Sequence, residues 1–297
     1  MEGIKEAYEK VSQIKPPTTF EQQIEIFRSR NLIIEDEKEA IEFLKRVNYY
    51  RLTGYTLTLK KNDRFFDGVT FNDIRHLYEF DKKLRNLLLE VLEDIEISFR
   101  THIAYHHAHN YGPLGYLDSK NFENESHHAS FLEELKKSIN KRNDELFIRH
   151  YKEKYHNEYP IWVALETVPM GCLSKLFMNL KREDKQFISN NYYNVKYFYV
   201  ESWLHCLSYV RNICAHYSRL YNKRLVITPK LHRKEKRLLE SNDKIFAVII
   251  VMKRLCLNKV LWKNFVRKLS ELMEAYNDVV DLKEIGFLNN WQEILNA

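Results

Sequence analysis

Glycine and proline are scarce in this chain. Its 297 residues include only 7 Gly and 6 Pro, whereas β architectures built on tight turns need more of both. Apolar residues make up 44% of the chain and charged residues 30%. The charged residues alternate with apolar ones, as they do in amphipathic surface helices. The composition therefore disfavours a turn-rich β fold and predicts an all-α protein with a sizeable core.

Three sequence signals of other protein classes are also missing. The cysteines form no C-x-x-C pair, which disfavours a zinc ribbon and favours buried, reduced thiols; they are Cys172, Cys206, Cys214 and Cys256. The first fifteen residues lack the apolar core of a signal peptide. The longest apolar run, "IFAVIIVM" at 245–252, is too short to span a bilayer. We therefore expect a soluble, cytoplasmic protein that does not engage a membrane.

Hydrophobic periodicity predicts helices in most segments and one short β-hairpin, at residues 54–71 around Lys-Asn-Asp. The clearest helix covers residues 71–108 and contains neither Gly nor Pro. Its apolar positions recur every three or four residues: Leu77, Phe80, Leu84, Leu88, Val91, Ile95 and Phe99. We predict a polar lead-in at 1–20 within an N-terminal helical segment at 1–72 that carries the hairpin. A helical core at 73–240 and C-terminal helices at 241–297 follow.

Positive charge is concentrated in one segment, although the formal net charge is only +6. Seven of the fifteen residues from 223 to 237 are basic, and we call them the basic cluster: Lys223, Arg224, Lys230, Arg233, Lys234, Lys236 and Arg237. A solvated helix face would have the same composition. The cluster directly follows the stretch described next, which favours contact with nucleic acid.

The stretch "SYVRNICAHYSRLYN" at 208–222 combines polar groups with residues typical of a core. Its spacing predicts one helix over residues 203–223. The expected core-facing seam contains Trp203, Leu207, Val210, Cys214, Tyr217 and Tyr221. A second stripe with the same kind of spacing contains Ser208, Asn212, His216, Arg219 and Lys223. A polar stripe that closes a loop by hydrogen bonds is the structural alternative.

The residue types of this stretch suit RNA cleavage without a metal. A histidine can take the proton of a 2′-OH or deliver one to the leaving 5′-oxygen, which leaves a 2′,3′-cyclic phosphate. An arginine can hold the phosphate, and an asparagine can orient either group. On an ideal helix Arg211 and His216 are separated by roughly 140° around the axis. A second copy across a two-fold axis would bring both into one cleft.

The spacing of Arg211 and His216 is not specific by itself. Composition alone yields roughly two such pairs, and the chain also contains Arg100–His106 and Arg149–His156. The wider string "RNICAHYSRLYN" resembles the Arg-Asn-x-x-x-His core of HEPN domains. It is most similar to Abi-like proteins of the AbiD/AbiF type. The segments at 47–57, 81–108 and 160–180 are similar to other parts of that family, so the resemblance covers about residues 20–240.

This resemblance implies a HEPN-like helical bundle with extra N- and C-terminal helices. It also implies a homodimeric ribonuclease in abortive-infection phage defence, controlled by a small structured RNA. The implied catalytic residues are Arg211 and His216, with Asn212 beside them. Glu166 matches an acidic position that can set the histidine tautomer or pair with Arg211.

Several alternatives remain open for individual residues. Glu166 can belong to a buried ion pair, and Glu96 and Arg100 fit a structural i,i+4 pair. Arg219 and the basic cluster are expected to contact backbone phosphates. One face of the long helix carries His102, His106 and His109, which is compatible with zinc, but histidines that bind no metal are favoured.

Three functional hypotheses follow from these residues. The first is a metal-independent endoribonuclease that needs no cofactor, with RNA as substrate and no DNA ligand. The second is a non-cleaving protein that docks a structured RNA on the basic cluster. The third is a zinc enzyme.

Overall fold

The computed structural model describes residues 15–297. Within them the protein consists of fourteen α-helices, three short 3₁₀ helices and one two-stranded antiparallel hairpin. The predicted all-α class is confirmed. Part of the predicted lead-in segment, residues 1–14, lies outside the described residues. The chain divides into two compact units, and their boundary falls between Glu79 and Phe80. The predicted segment limits at 72 and 240 stay predictions.

The unit before Phe80 begins with short, capped helices. Helix α1 is Phe20–Ser29, α2 is Glu37–Arg46 and α3 is Tyr49–Thr53. The side chain of Thr19 caps α1 together with Gln22, and Asp36 caps α2, so free backbone N–H groups at both helix starts are bonded. The predicted hairpin is confirmed as β1, Lys60–Lys61, and β2, Arg64–Phe65. Its turn residues, Asn62 and Asp63, both have positive φ, as a two-residue hairpin turn requires.

Helix α4, Phe71–Tyr111, is the longest element and has 41 residues, about 60 Å at 1.5 Å per residue. The seven apolar positions named above for this helix are all fully buried. The prediction of one long helix with a core-facing stripe is confirmed. Because the helix has no glycine or proline, its hydrogen-bond ladder needs no break.

The remaining helices follow α4 in the second unit. They are α5, Glu125–Asn140; α6, Leu146–Lys154; α7, Ile161–Thr167; α8, Met170–Asn179; α9, Arg182–Tyr193; α10, Tyr197–Ala215; α11, Arg233–Leu238; α12, Ile245–Leu255; α13, Lys259–Ala275; and α14, Trp291–Asn296. The 3₁₀ helices are Gly115–Leu117, Ser119–Asn121 and Leu282–Ile285. A turn at 141–145 separates α5 from α6.

The core of the second unit lies around α8 and α10. Helix α10 packs on α8, α9 and α12, and α5 packs on α7 and α8. Helix α12 contains the apolar run at 245–252, in which every side chain is buried. Within residues 15–297, no helix is both long enough and apolar enough to cross a membrane. The four cysteines are free and buried, as expected, and burial raises the pKa of Cys172 to about 11.

Candidate functional site

Helix α10 ends at the histidine of the predicted catalytic pair. His216 is its C-cap residue and is exposed. Tyr217 follows in the left-handed conformation, with φ 58°. The N–H of Tyr217 donates to the carbonyl of Cys214 (3.1 Å), and that of Ser218 donates to the carbonyl of Ile213 (2.9 Å). These two bonds form a Schellman motif in which a tyrosine takes the position that glycine usually occupies.

The prediction of one helix over residues 203–223 is therefore wrong beyond His216. Ser208 is buried instead of lying on an exposed stripe, and Tyr217 is 68% exposed instead of packing in the core. The core position predicted for Tyr221 is confirmed. The polar stripe ends at His216 because the chain reverses there, so Arg219 and Lys223 lie on the segment that follows the helix.

A buried ion pair on α4 holds this following segment, and we call it the loop clamp: Asp81 and Arg85. Asp81 accepts hydrogen bonds from the backbone N–H groups of Leu220 (3.0 Å) and Tyr221 (2.8 Å). Arg85 donates to the other oxygen of Asp81 and lies 3.5 Å from the carbonyl of Ser218. Both side chains of the clamp are almost fully buried. The clamp therefore fixes where the backbone goes after the cap of α10.

Arg219 stabilises the same segment from within. Its guanidinium donates to the backbone carbonyls of Tyr221 (2.5 Å) and Asn222 (3.3 Å). A guanidinium has five N–H donors, so these two bonds leave donors for another ligand. The phosphate contact expected of Arg219 stays a prediction.

Arg211 belongs to a chain of charged groups that joins three helices. We call this chain, Arg211, Glu96 and Arg100, the Glu96 relay. The Nε of Arg211 lies 3.8 Å from one carboxylate oxygen of Glu96 on α4. Arg100, one turn further along α4, donates to the other oxygen of Glu96 and to the carbonyl of Leu165 on α7. The predicted i,i+4 pair of Glu96 and Arg100 is confirmed. Arg211 itself is 39% exposed, so it is positioned and still accessible.

Glu166 directly follows Leu165, whose carbonyl accepts a hydrogen bond from Arg100 of the Glu96 relay. Its side chain is exposed on α7, so the alternative of a buried ion pair is wrong. Arg211 forms its ion pair with Glu96, and not with Glu166. The relay nevertheless ties α7 to α4 at the residue before Glu166, which fixes the backbone from which this carboxylate projects.

Asn212 completes the exposed end of α10. Its side chain is exposed, and its carbonyl accepts the N–H of His216 at 3.0 Å. Arg211, Asn212 and His216 are therefore all open to a ligand. Together they offer an imidazole, an amide and a guanidinium on one helical turn and its cap.

The family profile described as Abi-like protein matches residues 42–222. The match covers more than half of the 297 residues. The chain belongs to the Abi-like family. Membership indicates a role in abortive-infection defence against phage. Comparisons with curated proteins and with solved structures gave no significant match.

The Abi-like match contains the predicted catalytic residues and both buried ion pairs. The loop clamp, the Glu96 relay, Glu166 and the end of α10 all lie between residues 42 and 222. The match ends immediately before Lys223, the first residue of the basic cluster.

The basic cluster of this Abi-like chain is a loop followed by a short helix. The loop is bonded to α10, because the indole N–H of Trp203 donates to the carbonyl of Lys230 (2.6 Å). The N–H of Lys230 in turn donates to the hydroxyl of Ser202 (2.9 Å). All basic side chains except the half-buried Lys223 are exposed. Only the last four members lie on a helix, α11, so a single solvated helix face does not describe them.

The three histidines considered as zinc ligands have separate partners. His102 Nδ1 lies 2.9 Å from the hydroxyl of Tyr193, and His106 Nε2 lies 2.7 Å from Asp184. His109 Nδ1 lies 2.7 Å from a backbone carbonyl. Among residues 15–297 no group of three His, Cys, Asp or Glu is arranged to hold a metal.

Sequence reasoning did not assign the loop clamp a role. A signal was nevertheless present, because Asp81 and Arg85 are one turn apart and directly follow Phe80 and Leu84 of the buried stripe. Charges at core-facing positions of a helix are rare unless they are paired. The pair could therefore be recognised in the sequence, but the segment that it binds, at Leu220 and Tyr221, could not.

Proposed function

We propose that this Abi-like protein is a metal-independent endoribonuclease that acts as a toxin in phage defence and is controlled by a bound small RNA. The observation that carries the proposal is the exposed end of α10, where Arg211 and His216 flank Asn212. Two buried ion pairs hold this end in place. The Glu96 relay contacts Arg211, and the loop clamp binds the segment after His216. Rigid support of exposed polar groups is typical of catalytic sites.

Each group has a defined role in the proposed reaction. His216 takes the proton of the 2′-OH or protonates the leaving 5′-oxygen, because imidazole exchanges protons near neutral pH. Nε of Arg211 lies 3.8 Å from Glu96, and we assign its two terminal NH₂ groups to the phosphate and to the charge that develops on it. Asn212 orients the phosphate or the imidazole. Glu166 sets the imidazole tautomer from α7.

We further propose that two copies form one composite site. Arg211 and His216 point roughly 140° apart on an ideal helix, so one copy presents them in different directions. An isologous dimer places the ends of two α10 helices in one cleft, where the arginine of one copy and the histidine of the other meet one phosphodiester.

The test compares matched histidine variants. Wild-type protein, His216→Ala and the control His205→Ala are incubated with RNA in EDTA; His205 is also exposed on α10. We expect cleavage by wild type and His205→Ala with 2′,3′-cyclic phosphate ends. We expect a loss of about 10²-fold or more in His216→Ala, as for removal of a general acid or base. Equal cleavage by all three proteins, or none by any activated form, rejects the proposal.

The second candidate is a non-cleaving RNA-binding protein, and the exposure of the basic cluster supports it. Six of its side chains are exposed, and the side chain of Arg224 is 85% exposed. In this case RNA affinity is unchanged in His216→Ala and falls steeply with salt, because each phosphate contact releases counterions. Replacing Arg233, Lys234 and Arg237 with Gln should reduce the salt slope by about 3. An affinity that does not depend on salt would exclude this candidate.

A further inference from the structure

A pocket between α4 and α9 has no role in the proposed chemistry. Its volume is about 390 Å³. Five lining residues have exposed side chains, and they are Tyr105, His109, Asn110, Glu183 and Phe187. The other two lining residues, His106 and Asp184, are buried and close its base. The pocket lies about ten residues beyond Glu96 on α4, or about 15 Å along the helix axis.

The buried carboxylate at the base of the pocket, Asp184, already has hydrogen-bond partners. Asp184 is only 2% exposed, and it accepts hydrogen bonds from His106 (2.7 Å) and from the hydroxyl of Tyr111 (2.9 Å). Burial opposes ionisation of Asp184, but these hydrogen bonds outweigh it and hold its pKa below the usual value. A ligand is therefore recognised by the exposed groups above this base.

The exposed polar groups present acceptors to a ligand. The Nδ1 atom of His109 bonds to the carbonyl of Tyr105 at 2.7 Å. A carbonyl only accepts, so Nδ1 donates its proton in this bond and Nε2 is the ring nitrogen left as an acceptor. The side-chain nitrogen of Asn110 faces His106 and Asp184, which leaves its oxygen as an acceptor. Glu183 adds a carboxylate.

Two aromatic rings offer flat surfaces beside these acceptors. Tyr105 is 59% exposed and Phe187 is 48% exposed. Phe187 stacks on His106, with centroids 4.4 Å apart, so one of its faces is fixed. The carboxylates of Glu183 and Asp184 disfavour a phosphate inside the pocket, so the phosphate of a bound nucleotide has to lie outside it. A flat, uncharged ring that carries hydrogen-bond donors fits this combination.

We propose that the pocket binds one unpaired guanine of a single-stranded RNA. Guanine offers ring and exocyclic N–H donors on one edge and a face that stacks on Phe or Tyr. Adenine presents an unprotonated ring nitrogen at the corresponding edge, which faces the acceptor Glu183 unfavourably. A guanidinium side chain of a protein partner also stacks and donates. The net charge of +6 and the exposed basic cluster favour a polyanion over such a cationic partner.

This inference rests on the proposed function only in taking RNA as the ligand. As a subsite of the ribonuclease, the pocket would select RNA with a guanine at a fixed distance from the cleaved phosphate. The Arg211 and His216 groups supply no base contact of this kind, so sequence preference would arise here.

The test titrates the full-length protein with GMP, AMP, CMP, UMP and N-acetylarginine amide by calorimetry. We expect saturable binding of GMP and at least tenfold weaker binding of AMP. Phe187→Leu keeps apolar packing on His106 but removes the stacking face, and Glu183→Gln removes the charged acceptor. Each should weaken GMP binding about tenfold. The control Gln186→Ala changes an exposed neighbour on α9 that does not line the pocket, and its affinity should equal that of wild type.

Three results would overturn the inference. They are no saturable GMP binding at millimolar concentration, equal affinities for GMP and AMP, or arginine amide binding as tightly as GMP. Unchanged GMP affinity in both pocket variants would have the same meaning. GMP binding should also be unaffected in His216→Ala. If GMP binds but no RNA is cleaved, the pocket stands and the ribonuclease proposal falls; if RNA is cleaved without GMP binding, the ribonuclease proposal stands and the pocket falls.

Discussion

The loop clamp makes a sharp prediction, because one conservative substitution should disturb both stability and the site. In Asp81→Asn the side-chain oxygen can still accept from the N–H groups of Leu220 and Tyr221. The new amide nitrogen, however, faces the guanidinium of Arg85, which is 4% exposed. Removal of one partner of a buried ion pair costs about 3–5 kcal/mol of unfolding free energy.

A double-mutant cycle isolates this effect. Arg85→Met removes the guanidinium and should also be costly, because the buried carboxylate of Asp81 then loses its ion-pair partner on α4. The double variant Asp81→Asn/Arg85→Met removes both charges of the pair. We expect its destabilisation to be smaller than the sum of the single variants by about 2 kcal/mol, within the range for contacting pairs. As a control on the same helix, Glu90→Gln breaks the exposed ion pair of Glu90 with Lys268 on α13 (2.8 Å) and should cost about 1 kcal/mol or less.

Two measurements check the reasoning. Denaturant unfolding gives the free energies for the cycle, and hydrogen exchange read by mass spectrometry on a peptide around residues 217–224 reports the segment itself. We expect faster exchange of this peptide in Asp81→Asn and unchanged exchange in Glu90→Gln. A cost below about 1 kcal/mol for Asp81→Asn, additive costs in the cycle, or unchanged exchange would refute the role of the clamp.

Two further predictions concern His107 and Tyr217. The ring of His107 is buried with both nitrogens unpaired within the described residues, and burial lowers its pKa to about 4. Between about pH 6.5 and pH 4 the unfolded chain therefore binds more protons than the folded chain. The free energy of unfolding falls as the pH falls through this window, by at most about 1.4 kcal/mol per pH unit. His107→Phe should reduce this slope in thermal unfolding followed from pH 7 to pH 4, and an unchanged slope contradicts the assignment. Tyr217→Gly should raise the free energy of unfolding by about 1 kcal/mol, because glycine tolerates a φ of 58°, as measured by denaturant unfolding. Lower stability of this variant would show that the ring contributes more than the backbone strain costs.

Local patterns were sufficient for much of the fold. The stripe of α4 was predictable because a 3.6-residue period over 38 positions leaves no competing interpretation. The hairpin was predictable because Asn62-Asp63 suits a tight turn between strands. Turns inside charged helical patterns were not predictable. Residues 141–145 contain neither glycine nor proline, and the break between α5 and α6 therefore has no sequence signal of the usual kind.

The site shows the same division. The types of its residues were visible in the sequence, because Arg211, Asn212 and His216 form a compact string. The end of α10 was not visible, because a tyrosine occupies the position where glycine would have marked the end. That end depends on Asp81, which is 139 residues away from Leu220 along the chain. No local pattern contains a contact of this range.

Helix α4 therefore determines the geometry of the site through polar pairs spaced four residues apart. Asp81 with Arg85 holds the segment after His216, Glu96 with Arg100 holds Arg211 and α7, and His106 with Asn110 holds Asp184 on α9. Apolar residues at these positions would stabilise the fold as well or better, because desolvation of buried charges is costly. Apolar contacts are, however, not directional, and they would leave the cap of α10 and the guanidinium of Arg211 free to shift. Buried charge along one rigid helix thus lowers stability but fixes positions at the end of α10, as the proposed reaction between aligned groups requires.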